Sequence, residues 1–184
     1  RGTPAGLLIL AVLVGVGGAV GATIFHVLIK WSTSAFYGHA TGGDFISTLS
    51  QIPTLMRILI PVVGGLIVGI IYKYAKVTEA EGEGVPEVME ALAHHKGTIR
   101  PIVAPIKIIT AAITLGSGGS AGREGPVIQI GSAIGSGVAQ IFKIDTDKRS
   151  LLLAAGAAAG IGGTFGAPVA GLLLTHEILH HRLT

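Results

Sequence analysis

Two glycine-rich breaks carry the residues best suited to chemistry in this chain. The first is Gly82-Glu83-Gly84-Val85-Pro86-Glu87, and the second runs from Gly116 to Pro126, closing on Gly122-Arg123-Glu124-Gly125-Pro126. Each leads through a proline into a helical pattern, and proline favours the first helical position. A helix start presents unpaired N–H groups and roughly half a positive charge, which together make an anion site. Two such starts can hold one small anion without burying a full cation. Glu124, set between two glycines, is costly in apolar surroundings and is read as functional; the structural alternative is a salt bridge to a nearby Arg or Lys. Lys107, alone in an apolar stretch, either adds positive potential to the same path or snorkels to an interface.

A second constellation points to a different chemistry. His176-Glu177-Ile178-Leu179-His180 fits the H-E-x-x-H pattern, in which two histidines on one helix face hold zinc and the glutamate activates a bound water. The alternative function is therefore an intramembrane zinc metalloprotease. It needs a third ligand, and the nearest upstream carboxylates, Asp145 and Asp147, lie in a polar loop with no partner motif. The phosphate-loop spacing is absent, and Gly116-x-Gly118-x-x-Ala121 lacks the βαβ surroundings of a dinucleotide site. His94, His95 and His181 read as solvated helix ends.

The elements that must position these residues are membrane helices. Mean hydropathy is +0.70, with 49% hydrophobic and 12% charged residues, where a soluble domain would carry about 25% charged. The 29 glycines follow no collagen repeat; small residues let membrane helices approach closely. Gly17 to Gly21, Gly131 to Gly135 and Gly156 to Gly160 all fit G-x-x-x-G, a packing device that would also suit a non-transporting scaffold. A net charge of +3 is too small and scattered for nucleic acid, and the absence of cysteine removes disulfides and thiol chemistry.

Leu7 to Lys30 and Leu55 to Tyr74 are long and apolar enough to cross a bilayer. Residues 31 to 52 read as a polar outer loop, because Lys73, Lys76, Lys96 and Arg100 mark the following stretch as inner. Beyond Arg100 come shorter apolar segments, Ile102 to Leu115, Pro126 to Phe142, Leu151 to Ile161 and Ala167 to Leu179, separated by Gly-rich breaks. Helices that stop within a membrane survive only where they line a polar cavity or are buried in protein. Such broken helices mark substrate sites in transporters.

Gly122-Arg123-Glu124-Gly125-Pro126 followed by Val127-Ile128-Gln129-Ile130-Gly131 resembles the signature of CLC chloride channels and transporters. Gly82 to Glu87 sits where that family has Gly-Ser-Gly-Ile-Pro-Glu. Ala155 to Gly160 and Phe165 to Gly171 match its later helices in order and spacing. The resemblance implies an all-α integral membrane fold of tilted, broken and re-entrant helices, residues 1–184 forming one half of a CLC-type inverted repeat. It implies anion transport, with Glu124 as the gating glutamate. It also implies an anion site shaped by Glu83, Gly84, Val85, Pro86, Gly122, Arg123, Gly125, Pro126 and Val127, with Lys107 supplying positive potential.

Three departures from the family pattern bear on mechanism. Glu83 replaces a serine that donates to the anion, so it is either protonated or turned into the inner vestibule. Ile178 stands where many exchangers have an inner glutamate, with Glu177 about 100° away on a helix; this leans toward a channel over a chloride/proton antiporter. The family's second half, which adds a tyrosine and another helix start, is not in the chain, which reads as a fragment. The other arrangement would pair two copies in opposite orientations. The expected partners are chloride or other small anions, protons, membrane lipid and a second subunit in a homodimer, in a plasma or inner membrane. No cofactor, metal or nucleic acid is implied.

Overall fold

The computed structural model describes residues 4–38 and 52–180, with side chains described for 5–38 and 52–177. Among the described residues there are seven α-helices, one 3-10 turn and no strand. They are α1 (Pro4–Tyr37), α2 (Thr54–Ala75), the 3-10 turn Thr78–Ala80, α3 (Val85–His94), α4 (Val103–Gly116), α5 (Glu124–Ile141), α6 (Thr146–Phe165) and α7 (Pro168–His180).

The bundle is organised around α5, whose residues from Pro126 to Ala139 are almost all buried. Its contact with α6 is backbone against backbone: a Cβ on Gly131 would strike the Gly156 carbonyl, and one on Gly156 would strike the Gly131 carbonyl. Gly135 lies as tightly on Leu152, and Gly160 on Val127. On α1, Gly17 and Gly21 receive Ile134 and Ile130, while Gly18 lies on Ala159. All three G-x-x-x-G pairs are thus helix-packing surfaces, where dispersion contacts between close backbones replace the hydrophobic drive that lipid cannot supply. Phe25, fully buried, joins α1 to the main core.

The faces turned away from this core are apolar. Two described helices, Ala5–Tyr37 and Thr54–Ala75, are long and apolar enough to cross a membrane. On α2 only Gly64 is buried, while Leu55, Ile58, Val62 and Leu66 are exposed. On α7, Val169, Leu172 and Leu173 are exposed as well. A 34-residue helix such as α1 reaches roughly 50 Å, against a hydrocarbon core of about 30 Å, a mismatch that membrane helices accommodate by tilting.

Two boundaries differ from the sequence expectation. Residues 31–37 continue α1 instead of opening a loop. Thr33 Oγ1 donates back to the Ile29 carbonyl (2.9 Å), Tyr37 Oη donates to the Ser117 carbonyl (3.0 Å), and Ser32 packs on Gly116. Polar side chains that bond to their own helix or its neighbour need no water, so polarity here does not mean loop. The rest of the expected outer loop lies outside the described residues. The second difference is α6, which starts at Thr146, five residues before the apolar run. Its first turn holds Asp147, favourable at a helix N-terminus, and Arg149, whose guanidinium donates to Thr98 Oγ1 at 2.6 Å.

Candidate anion-binding site

The two glycine-rich breaks fold into one junction. Gly84 precedes α3 with φ +114°, a conformation that only glycine adopts readily. Its Cα faces the Gly125 carbonyl, and the Cα of Gly125 faces the Glu83 carbonyl, each so close that a Cβ on either glycine would overlap backbone. The starts of α3 and α5 are therefore in direct main-chain contact. Helix geometry leaves the N–H groups of Val85 and Glu87 in α3, and of Glu124 and Gly125 in α5, outside the intrahelical ladder. Pro86 and Pro126 have no N–H to offer, and the Val127 amide is spent on the Arg123 carbonyl at 3.2 Å.

Glycine also makes room for the carboxylates. Glu87 Oε2 accepts from the Gly84 N–H at 2.6 Å, and its other oxygen lies over Gly82 where a Cβ would stand. Glu124 Oε2 lies over Gly122 in the same way. Each carboxylate thus folds back over the peptide leading into its helix, where the positive end of the helix dipole favours it.

Lys107 fixes the approach to α3 from beneath. The residue is 3% exposed. Its ammonium donates to the Ala80 carbonyl at 3.1 Å and to the Gly82 carbonyl. A charged donor of this kind is worth about 1.5–3 kcal/mol per bond, so the 80–82 segment is held firmly. The side chain points into the protein, which excludes the snorkelling alternative. Tyr72 Oη donates to the same Ala80 carbonyl at 2.7 Å and lies 2.9 Å from Thr110 Oγ1. Behind α3, the buried Gln129 amide donates to the Glu79 carbonyl.

A cavity of about 590 Å³ opens beside the junction, with Tyr72 and Lys107 in its wall. Of the residues singled out from sequence, Glu83, Val85, Lys107, Gly122, Glu124, Gly125 and Pro126 line it. Gly84 is buried behind the wall, and Val127 is buried in the core. Arg123 is exposed and outside the lining. Pro86 lines a separate cavity with Met89, Glu90, Ala93 and His94. Sequence reading did not nominate Tyr72, Glu81, Thr114 or Ser120, which complete the polar part of the wall. Tyr72 ends an apolar helix, where an interfacial aromatic is ordinary, and Ser120 is one small residue among many.

The zinc reading gains no support. His176 and Glu177 are exposed on α7, and no group of three or more metal-ligating side chains comes together among the described residues. The side chains of Ile178 and His180 lie outside those described.

The chain is similar to known proteins over nearly its whole length. The family model described as voltage gated chloride channel matches residues 63–184. The H(+)/Cl(-) exchange transporter ClcA of Cronobacter sakazakii is 36% identical over 182 residues, covering 95% of this chain and 37% of that protein. Its counterpart in Vibrio vulnificus is 35% identical, with 95% and 37% covered. Among solved structures, a slow cyanobacterial Cl−/H+ antiporter superposes with a TM-score of 0.60 at 25% identity, covering 96% of this chain and 43% of that one. The chain spans little more than a third of the length of the curated relatives it matches. Its all-helical architecture corresponds to one half of such a transporter, and the chain belongs to the CLC family of voltage-gated chloride channels and transporters.

Proposed function

We propose that this chain forms one half of a chloride pathway in which the anion passes between the starts of α3 and α5, gated by the Glu124 carboxylate and exchanged for protons. The observation that carries this reading is the junction itself: two helix starts in main-chain contact open onto one cavity that also holds Glu124 and Lys107. The N–H groups of Val85, Glu87, Glu124 and Gly125 replace part of the anion's hydration shell. Gly122, Gly125 and Pro126 shape the α5 start, and Gly84 lets the two starts touch. Lys107 adds a fixed positive charge from below. Arg123, Pro86 and Val127 contribute from outside the cavity wall, through helix geometry and long-range potential.

The Glu124 carboxylate folds over Gly122 at the start of α5, and in this mechanism it competes with chloride for the positive end of that helix. Protonation removes the carboxylate's charge and releases it. Exchange is favoured over passive conduction because the relatives named above are H(+)/Cl(-) exchange transporters. The complete protein is read as a multi-pass homodimer in a plasma or inner membrane, each subunit holding its own pore, with lipid against the exposed apolar faces of α1, α2 and α7. Residues 1–184 act in it as a single half-repeat of the membrane domain.

The test is chloride efflux from chloride-loaded liposomes holding the full-length polypeptide, with external pH recorded at the same time. Efflux with opposed proton movement is the expected result. Efflux with no proton movement would make the protein a channel, and no efflux would remove the anion reading.

A further inference from the structure

The cavity wall carries an excess of negative charge that an anion pathway has to accommodate. Its ionisable side chains are Glu81, Glu83 and Glu124 against the single ammonium of Lys107, with the Tyr72 hydroxyl beside them. An anion entering such a wall is opposed unless a carboxylate moves away or loses its charge.

Glu124 and Glu83 differ in which of these they can do. Glu124 stands at the first turn of α5 with its carboxylate folded over Gly122, and a change of rotamer carries it off the helix start. Glu83 sits on backbone that is pinned on three sides. The Gly82 carbonyl accepts from Lys107, the Gly84 N–H donates to Glu87, and the Glu83 carbonyl lies against Gly125. Its Cα stays at the rim of the anion site whatever the side chain does.

From this placement we propose that Glu83 is a proton-accepting group of the cavity: as an anion enters, the Glu83 carboxylate takes one proton from water and becomes the neutral acid. The inference rests on the anion-pathway reading above. The proton adds to a carboxylate oxygen and leaves again when the anion departs, so no co-reactant is needed. The charged and titratable groups that share the cavity with Glu83 are Tyr72 from α2, Glu81 from the preceding loop, Lys107 from α4 and Glu124 from α5, with Glu87 of α3 bound to the adjacent Gly84 N–H. Glu87 is engaged by the Gly84 N–H, and Lys107 by two carbonyls. Glu81 precedes the pinned turn. That leaves Glu83 and Glu124 as the carboxylates at the helix junction.

The experiment removes Glu124 from the titration and asks what pH dependence is left. Chloride affinity of the full-length polypeptide in detergent is measured by calorimetry from acid to neutral pH in the native protein, Glu124→Gln, and Glu124→Gln combined with Glu83→Gln. With Glu124→Gln alone, chloride binding should still weaken as pH rises, by up to about tenfold per pH unit, as one linked proton requires. With both substitutions, affinity should become independent of pH. Glu83→Ser in the same background serves as a second variant should the double glutamine fail to fold, and it should give the same flat profile. A flat profile with Glu83 intact overturns the inference while leaving anion binding in place. Absence of chloride binding in the native protein overturns the pathway reading, and the inference with it.

Discussion

Glu124→Gln leaves chloride moving and cuts coupled proton movement by at least an order of magnitude. A carboxylate at the start of α5 gains up to about 2 kcal/mol from the helix terminus, and at 1.4 kcal/mol per factor of ten that corresponds to roughly 30-fold competition against chloride. Glutamine is neutral, so the competition ends and chloride binds more tightly at neutral pH. A neutral amide also carries no proton, so the exchange loses the step on which coupling depends. In the native protein flux rises as pH falls, because acid neutralises the Glu124 carboxylate and releases it from the helix start. In the variant that component flattens, and the pH dependence remaining in chloride binding belongs to Glu83. Flux recorded together with external pH in liposomes reads each of these effects. Native proton coupling in the glutamine variant would remove Glu124 from the mechanism.

Gly84→Ala has the larger effect on structure. The position has φ +114° and ψ −49°, which an L-residue occupies at a cost of about 1–3 kcal/mol. A Cβ there would also overlap the Gly125 carbonyl, so the two helix starts must separate for the chain to fold at all. The combined cost is about 3 kcal/mol or more, at the upper end of what single substitutions usually produce. Chloride affinity should fall by more than about 100-fold, because the donors of α3 and α5 no longer converge. Gly166→Ala is the matching control. Gly166 ends α6 at φ +63° with nothing within 4 Å of an added Cβ, so it carries only the conformational cost of about 1–2 kcal/mol and leaves the site intact. Thermal unfolding in detergent, followed by chloride titration, separates the two. Equal losses in both variants would mean that the contact with Gly125 is not what holds the site.

Much of the fold is legible in the residues, and the reasons differ by element. The α2 boundaries stand one residue from the apolar run Leu55 to Tyr74 at each end, because an isolated hydrophobic stretch has few other ways to fold. The small-residue pairs of α1, α5 and α6 announce close packing, but not which helix meets which. That pairing depends on tertiary contacts such as Gly131 with Gly156, which local pattern does not encode. The end of α1 is hidden for another reason. Ser32, Thr33 and Tyr37 are polar in type, yet they bond to carbonyls or pack within the protein.

The candidate site divides in the same way. Lys107 and Glu124 stand out because charge in apolar segments is rare and expensive, Glu83 because it holds the serine position of a glycine-rich motif, and the structure brings all three to one cavity. Tyr72 is ordinary in its own segment and becomes informative only when its hydroxyl is seen sharing the Ala80 carbonyl with Lys107. Arg123 has the opposite history. It belongs to the recognisable motif, yet it stands outside the cavity wall, since a residue next to a functional one on a helix start points elsewhere.

Whether an anion sits where α3 and α5 begin is answered by crystallising the full-length polypeptide in bromide and locating the anomalous signal. A bromide peak is expected in the cavity beside the N–H groups of Val85 and Gly125, within about 3–4 Å of them, as for a halide taking a helix terminus as its ligand. A fully occupied bromide elsewhere, with this cavity empty of anomalous signal, would contradict this placement.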